Sequence, residues 1–423
     1  MGVLCLVRGP ETKVLKTFLY LLAFGLLAFV AGFFFSPTPG THEQIFLFLV
    51  NLPVVLLLAC CWKRLQFDLS EPFFLFTLAV LFYLALSSLW SPKFELATLV
   101  YFGRRILTLL SLFVAVLLVV RRFPDFEKLL VWVLVLLASI SAVFVLIHHF
   151  HEVNSRFALL SITKGSFLSL GRYNTTIRVG WIWGGSCLCT LWLFMRIRGW
   201  TSLLLAFLFV PQFILFILTL SRGPLLAFLL SGLIVFVLNI RSFQEKKKLL
   251  IILAFLTVAI ASLVGFDLTD KLTHGFTRGW TPDTGLSGLS HRLEIWQAVV
   301  QETRGSFILG QGFARKVPVT VASGMQFPHS HNFLVSVFRF SGLLGVLLVG
   351  MHLSVCLWIS ISHKNHRTRI WGLLLFYGCL CLLTNGKYPL AGLSEFWFIY
   401  WLPICMIYGL RTMNKYPQMD DTP

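Results

Sequence analysis

The stretch His331-Asn332-Phe333-Leu334-Val335-Ser336-Val337-Phe338-Arg339-Phe340-Ser341-Gly342-Leu343-Leu344-Gly345 puts a polar pair, His331 and Asn332, at the mouth of an apolar helix. An arginine lies inside the apolar run, and two glycines three apart follow it. In water this pattern means little. At the edge of a bilayer an ionisable side chain is costly, and its presence points to a purpose. Whether the setting is a membrane is decided by the rest of the chain.

The chain has 423 residues, of which 57% are hydrophobic and only 12% charged. That balance excludes a soluble globular protein and defines a polytopic membrane protein. The apolar runs are continuous and close to twenty residues long, which fits helices and not alternating barrel strands. The pattern predicts an all-α fold of about twelve transmembrane helices. They fall near 15–35, 45–62, 72–90, 105–120, 128–150, 177–195, 202–220, 224–240, 249–266, 333–360, 370–385 and 394–410. The chain divides accordingly into helices one to nine (1–266), one large outer loop (267–332), and helices ten to twelve with a short tail (333–423).

The formal net charge is +18, but the basic residues are spread over many short loops, so a nucleic-acid partner is not expected. With the N-terminus inside, clusters such as Lys63/Arg64, Arg121/Arg122, Arg196/Arg198 and Lys246 to Lys248 mark every cytoplasmic segment. Both termini are therefore expected in the cytoplasm. The outer side still holds Arg104, Arg105, Arg172, Arg178, Arg222, Arg292 and Lys387. Outer arginines act against the topology rule, and an anionic ligand at that face accounts for them, unless the loop charges are merely solvated. The nine cysteines avoid the outer loops, so a disulfide framework is not expected.

The large loop carries a predicted helix from Leu289 to Thr303, with Leu289, Leu293, Trp296 and Val300 as one apolar face. Arg292 stands four residues before Trp296. Gly310-Gln311-Gly312 ends that unit, and Pro328-His329-Ser330 leads into His331. A histidine with an ordinary pKa is suited to accept a proton from a hydroxyl, so His331 is the candidate base, with His329 behind it. Asn332 is expected to orient His331 or bind substrate. Arg222, in a tight turn between two spans with Pro224 opening the next helix, is held where a lipid-linked phosphate would lie. It either binds that phosphate or reaches the headgroups. Two arginines from separate segments clamp a diphosphate through planar, bidentate bonds. Arg172 and Asn174 before span six, and Arg339 within span ten, are further candidates for a polar cavity. His148, His149 and His151 have poor spacing for one helical face, and no phosphate loop, nucleophile elbow or paired acidic motif is present. No metal and no cofactor are expected.

Together these residues resemble the O-antigen ligase family. Its histidine motif reads here as His331, Asn332, nine residues, Gly342, two residues and Gly345. Arg222 to Leu226 resembles its Arg-x-x-x-Leu turn. Arg292 before Trp296, the Gly310-x-Gly312 turn and Gly171-Arg172-Tyr173-Asn174 are similar to further stretches of the family. The resemblance implies a membrane glycosyltransferase of the GT-C type in the bacterial inner membrane, with a periplasmic site. It implies an undecaprenyl diphosphate-linked glycan as donor and a sugar hydroxyl of lipid A-core as acceptor, joined with inversion and without metal. Carried over, His331 activates the acceptor and Arg222 and Arg292 hold the diphosphate; Arg172, Asn174, Asn332, Trp296, His329 and Arg339 are the further substrate-binding candidates. The alternatives are an O-antigen polymerase and a protein O-oligosaccharyltransferase, which the wider superfamily also contains, and, as a non-enzyme class outside that resemblance, a lipid-linked sugar flippase. For a flippase the charges would line a route through the membrane.

Overall fold

In lipid the backbone finds no water, so each apolar run closes its own hydrogen bonds as a helix. A computed structural model describes residues 13–61, 71–152, 175–219, 221–239, 290–313, 317–362, 367–390 and 392–415. Among them ten helices are long and apolar enough to cross a membrane. The chain is thus an all-α, multi-pass membrane protein. α1 is Lys13–Phe35. α2, Pro39–Phe46, passes through a π turn, Leu47–Asn51, into α3, Leu52–Cys61. α4 is Pro72–Leu86, α5 Leu96–Arg122 and α6 Phe126–Glu152. α7 is Thr176–Arg196, α8 Trp200–Leu218 and α9 Arg222–Asn239. The loop helix α10 is Ser290–Glu302. α11 is Phe333–Ser362, α12 Arg367–Asn385, and a π turn, Trp397–Trp401, leads into α13, Leu402–Lys415. The expected ninth span, 249–266, lies outside the described residues.

Polar side chains tie the spans where they cross. Gln212 on α8 donates to the Ser139 hydroxyl on α6 (2.7 Å) and accepts from Thr190 on α7 (3.2 Å). All three are buried, and such bonds fix helix register where apolar packing has little directional preference. The Tyr377 hydroxyl on α12 donates to the Gly180 carbonyl on α7 (2.7 Å).

α11 is broken at Gly342, where φ is 63° and ψ −166°. Only glycine adopts that conformation readily. The break frees backbone groups, and five of them pair outside the helix. The carbonyls of Arg339 and Phe340 accept the N–H groups of Gln311 (2.8 Å) and Gly312 (3.0 Å). The Ser341 carbonyl accepts the Tyr83 hydroxyl (2.8 Å). The N–H groups of Leu343 and Leu344 donate to Phe307 (2.9 Å) and Ile308 (3.2 Å). Gly310 and Gly312, with φ of 72° and 75°, make the turn that brings this loop in. The segment after α10 is thereby stitched into the interrupted helix. Gly345 then sits over Ser341, with no room for a side chain as the helix restarts. The two motif glycines are a helix break and its restart, not a face for packing against another span.

α10 forms over the expected residues but buries a different face. Ile295 and Val299 are its core, packed on Val319 and Val321 with Phe327, Val335 and Phe338 around them. Leu293 and Val300 are exposed. α10 has apolar residues on two sides, and the hairpin of β1 (Val319–Thr320) and β2 (Gln326–Phe327) selects which is covered.

The charges divide between the two ends of the bundle. At one end Arg367, opening α12, pairs with Glu127 of α6 (3.1 Å), and Arg411 of α13 pairs with Glu71 (3.4 Å). Arg122 and Arg196 close α5 and α7. The start of α7 and the end of α12 lie at the other end, with α10 and the His331 segment.

Candidate active site

A cavity of about 590 Å³ lies at that second end. Its lining includes Arg105 of α5, Arg178 of α7, Arg292 of α10, His329 and His331 before α11, and Asn385 and Lys387 at the end of α12. Glu43 of α2 and Glu395 supply its carboxylates. Arg105 pairs with Glu43 (2.7 Å) and Arg178 with Glu395 (3.5 Å). Arg292 and Lys387 have no carboxylate within 4.0 Å among the described residues, so the cavity keeps excess positive charge.

Among the described residues, His331 is the non-glycine residue with positive φ, at 53°. Its backbone N–H donates to His329 Nδ1 (3.2 Å), and its own Nδ1 lies 2.8 Å from Asn385 Oδ1. An amide oxygen only accepts, so the His331 Nδ1 carries the hydrogen and Nε2 keeps a lone pair. That is the tautomer a base needs. Burial lowers the His331 pKa from its ordinary value, the Asn385 bond opposes this, and Arg292 and Lys387 lower it further. His329 is pushed down to about 3, by burial first and then by His331, Lys387 and Arg178. Both imidazoles are neutral at pH 7, and their rings are 4.0 Å apart. Arg292 is half-buried, and burial lowers its pKa as well.

Several expected site residues have other work. Asn332 caps α11: its Oδ1 accepts the N–H groups of Leu334 (2.9 Å) and Val335 (3.3 Å). The orienting amide is Asn385, far along the chain, and no local motif marks it. Trp296 donates its indole N–H to the Ser330 carbonyl (3.0 Å), fastening α10 to the histidine segment. Arg339 is buried and spent. It pairs with both Glu302 oxygens (3.0 and 2.9 Å) and donates to the Val317 and Pro318 carbonyls (2.9 Å each). Asn332, Trp296 and Arg339 therefore position the site rather than face its main cavity.

Arg222 opens α9 and is exposed, outside the cavity lining. Its turn nevertheless packs on the two helices that end at the cavity. A Cβ on Gly223 would meet Thr384, and one on Gly180 would meet Pro224. Arg172 and Asn174 lie outside the described residues. Arg104 and Arg105 are two turns inside α5 rather than at its start, because that helix begins at Leu96. The sequence alone gives no sign of Asn385, Glu43 or Glu395; it offers Arg105 and Arg178 as cavity-lining or snorkelling arginines, and Lys387 only as one of the outer charges. Their signal was positive charge on the outer side without a local carboxylate to explain it.

The fold and the site define the class: an all-α multi-pass membrane protein with two histidines and several cationic side chains in one cavity. The comparisons with known proteins make the class specific. A family model described as O-antigen ligase matches residues 204–350. The chain is also 26% identical over 422 residues to the O-antigen ligase of Pseudomonas aeruginosa strain PAO1, covering 97% of this chain and 95% of that one. The resemblance to O-antigen ligases carried by the motifs thus extends along nearly the whole chain, and the protein is a membrane glycosyltransferase-type enzyme.

Proposed function

We propose that the protein is an O-antigen ligase, transferring a glycan from undecaprenyl diphosphate to a sugar hydroxyl of lipid A-core. The reading places it in the inner membrane with both termini cytoplasmic, and the loop 267–332 and the cavity on the periplasmic face. The observation that carries it is the His331 Nε2, freed by the Asn385 contact, in a cavity walled by Arg105, Arg178, Arg292 and Lys387. His331 takes the proton from the acceptor hydroxyl, whose oxygen attacks the anomeric carbon opposite the diphosphate. The carbon–oxygen bond to the diphosphate breaks, and undecaprenyl diphosphate leaves with the bonding pair. One displacement inverts the anomeric centre. Arg292, Lys387 and Arg178 oppose the charge that develops on the leaving group, and Arg222, on the turn packed against the helices that end at the cavity, holds the donor from outside its lining. In this reading no metal is needed. The cavity's cations gather at one end of the bundle, which favours transfer over a flippase, since a flippase needs charge along the route through the membrane.

The test is a reconstituted assay offering lipid-linked donor with lipid A-core, or with a second donor molecule, in the presence of a chelator. Glycan on lipid A-core is the expected product. Lengthened donor alone would instead identify a polymerase, and loss of rate with the chelator, restored by one metal, would overturn the metal-free mechanism. His331→Asn, which keeps a residue tolerant of positive φ, is expected to lower the rate by about 10²- to 10⁴-fold while the protein stays folded.

A further inference from the structure

A second concavity of about 230 Å³ adjoins the cationic cavity, and His329 and Lys387 line both. Its character is different. Tyr101, Phe313, Phe340 and Tyr388 form much of its wall, together with Pro328. The rings brace each other: Phe313 lies 4.7 Å from Phe340 and 5.0 Å from Tyr388 between centroids. The buried guanidinium at its back, Arg339, is taken up by Glu302 and two carbonyls, which leaves Lys387 as the accessible cation. Tyr101 is half-buried, and the Arg105 guanidinium of the cationic cavity sits 5.0 Å from its ring centroid.

We infer that this concavity is a sugar subsite that seats the acceptor's terminal ring beside the base. This rests on the transferase reading above. Apolar C–H faces of a pyranose match aromatic walls, and its hydroxyls match a few placed polar groups, here His329 and Lys387. The space suits one ring and excludes a lipid-linked diphosphate, whose charge is answered in the larger cavity. The acceptor belongs here because His329 forms the shared wall and its ring is 4.0 Å from that of His331. A ring seated against His329 brings a hydroxyl toward the base, while the donor lies across the cations.

The experiment uses the full chain in lipid nanodiscs, with lipid A-core varied at saturating undecaprenyl diphosphate-linked donor. Tyr101→Ala is expected to raise the acceptor KM about three- to tenfold, with the effect falling on KM rather than on kcat or the donor KM. Tyr101→Trp restores it, which a merely structural role would not allow. Saturation-transfer NMR with core oligosaccharide reads the subsite without turnover: ring-proton saturation is expected with wild type and reduced in Tyr101→Ala. Unchanged acceptor KM and unchanged saturation would overturn the subsite. A rise in donor KM alone would assign the pocket to the donor and overturn it equally. Absence of any transfer by wild type, with saturation intact, would bring down the transferase reading and leave the sugar site standing.

Discussion

His331 holds a backbone conformation that L-residues avoid, at a cost of order 1–2 kcal/mol. The surroundings hold it there. Asn332 caps the following helix, His329 takes its N–H, and Asn385 takes its ring hydrogen. Strain held this firmly beside a cationic cavity accords with a positioned base. The pKa direction makes a testable statement. A base works in its neutral form, and the His331 pKa lies below its ordinary 6.5, so the neutral form persists as pH falls through 6.5. The acid limb of kcat/KM is expected below pH 6.5. Asn385→Asp places a negative charge on Nδ1–H, favours the imidazolium, and moves that limb upward by roughly one unit. A pH–rate profile that does not move in this variant would remove Asn385 from its positioning role.

At the scale of elements, the interrupted α11 is the piece that joins membrane to loop. Its first segment is capped by Asn332 and carries Arg339, and its break receives the residues 307–312. Gly342→Val puts a branched side chain against the Ile308 carbonyl and at a φ that valine rejects. It is expected to destabilise by about 1–3 kcal/mol and to lower the melting temperature measurably. Arg339→Met separates the two roles considered for that arginine. Loss of its bonds to Glu302 and two carbonyls should cost about 2–3 kcal/mol, read as a lower melting temperature, with the donor KM of the folded fraction unchanged. A large rise in donor KM at unchanged stability would return Arg339 to substrate binding.

At the scale of the molecule, the cavity is an assembly of ends: α5, α7, α10, the histidine segment and the turn after α12 each contribute. The cations come from elements far apart in sequence, so no single one makes the site. Arg292→Ala and Arg222→Ala are each expected to raise the donor KM by about 10- to 100-fold, with lysine rescuing only part because it lacks the planar fork. Donor KM unchanged in both alanine variants would dissolve the diphosphate clamp.

The local content of this site was legible because it is periodic or contiguous. Runs of apolar residues must become helices in lipid, and their order and the outer loop with its helix follow from spacing, while the loop glycines and the His331 motif are contiguous stretches that resemble those of a known family. The sequence by itself therefore determined a multi-pass helical protein and named His331 and Arg292, which the fold brings into one cavity. It did not determine which polar groups are used up inside. Asn385 stands 54 residues from His331, and Glu302 stands 37 from Arg339. Those pairings depend on which helix ends meet, and only packing decides that. For the same reason α10 shows two apolar sides but buries one, and Gly342 is only one of two motif glycines until the loop hydrogen bonds that require its break are in place. A polar side chain in an apolar medium is committed by its nearest partner, and only tertiary structure supplies that partner.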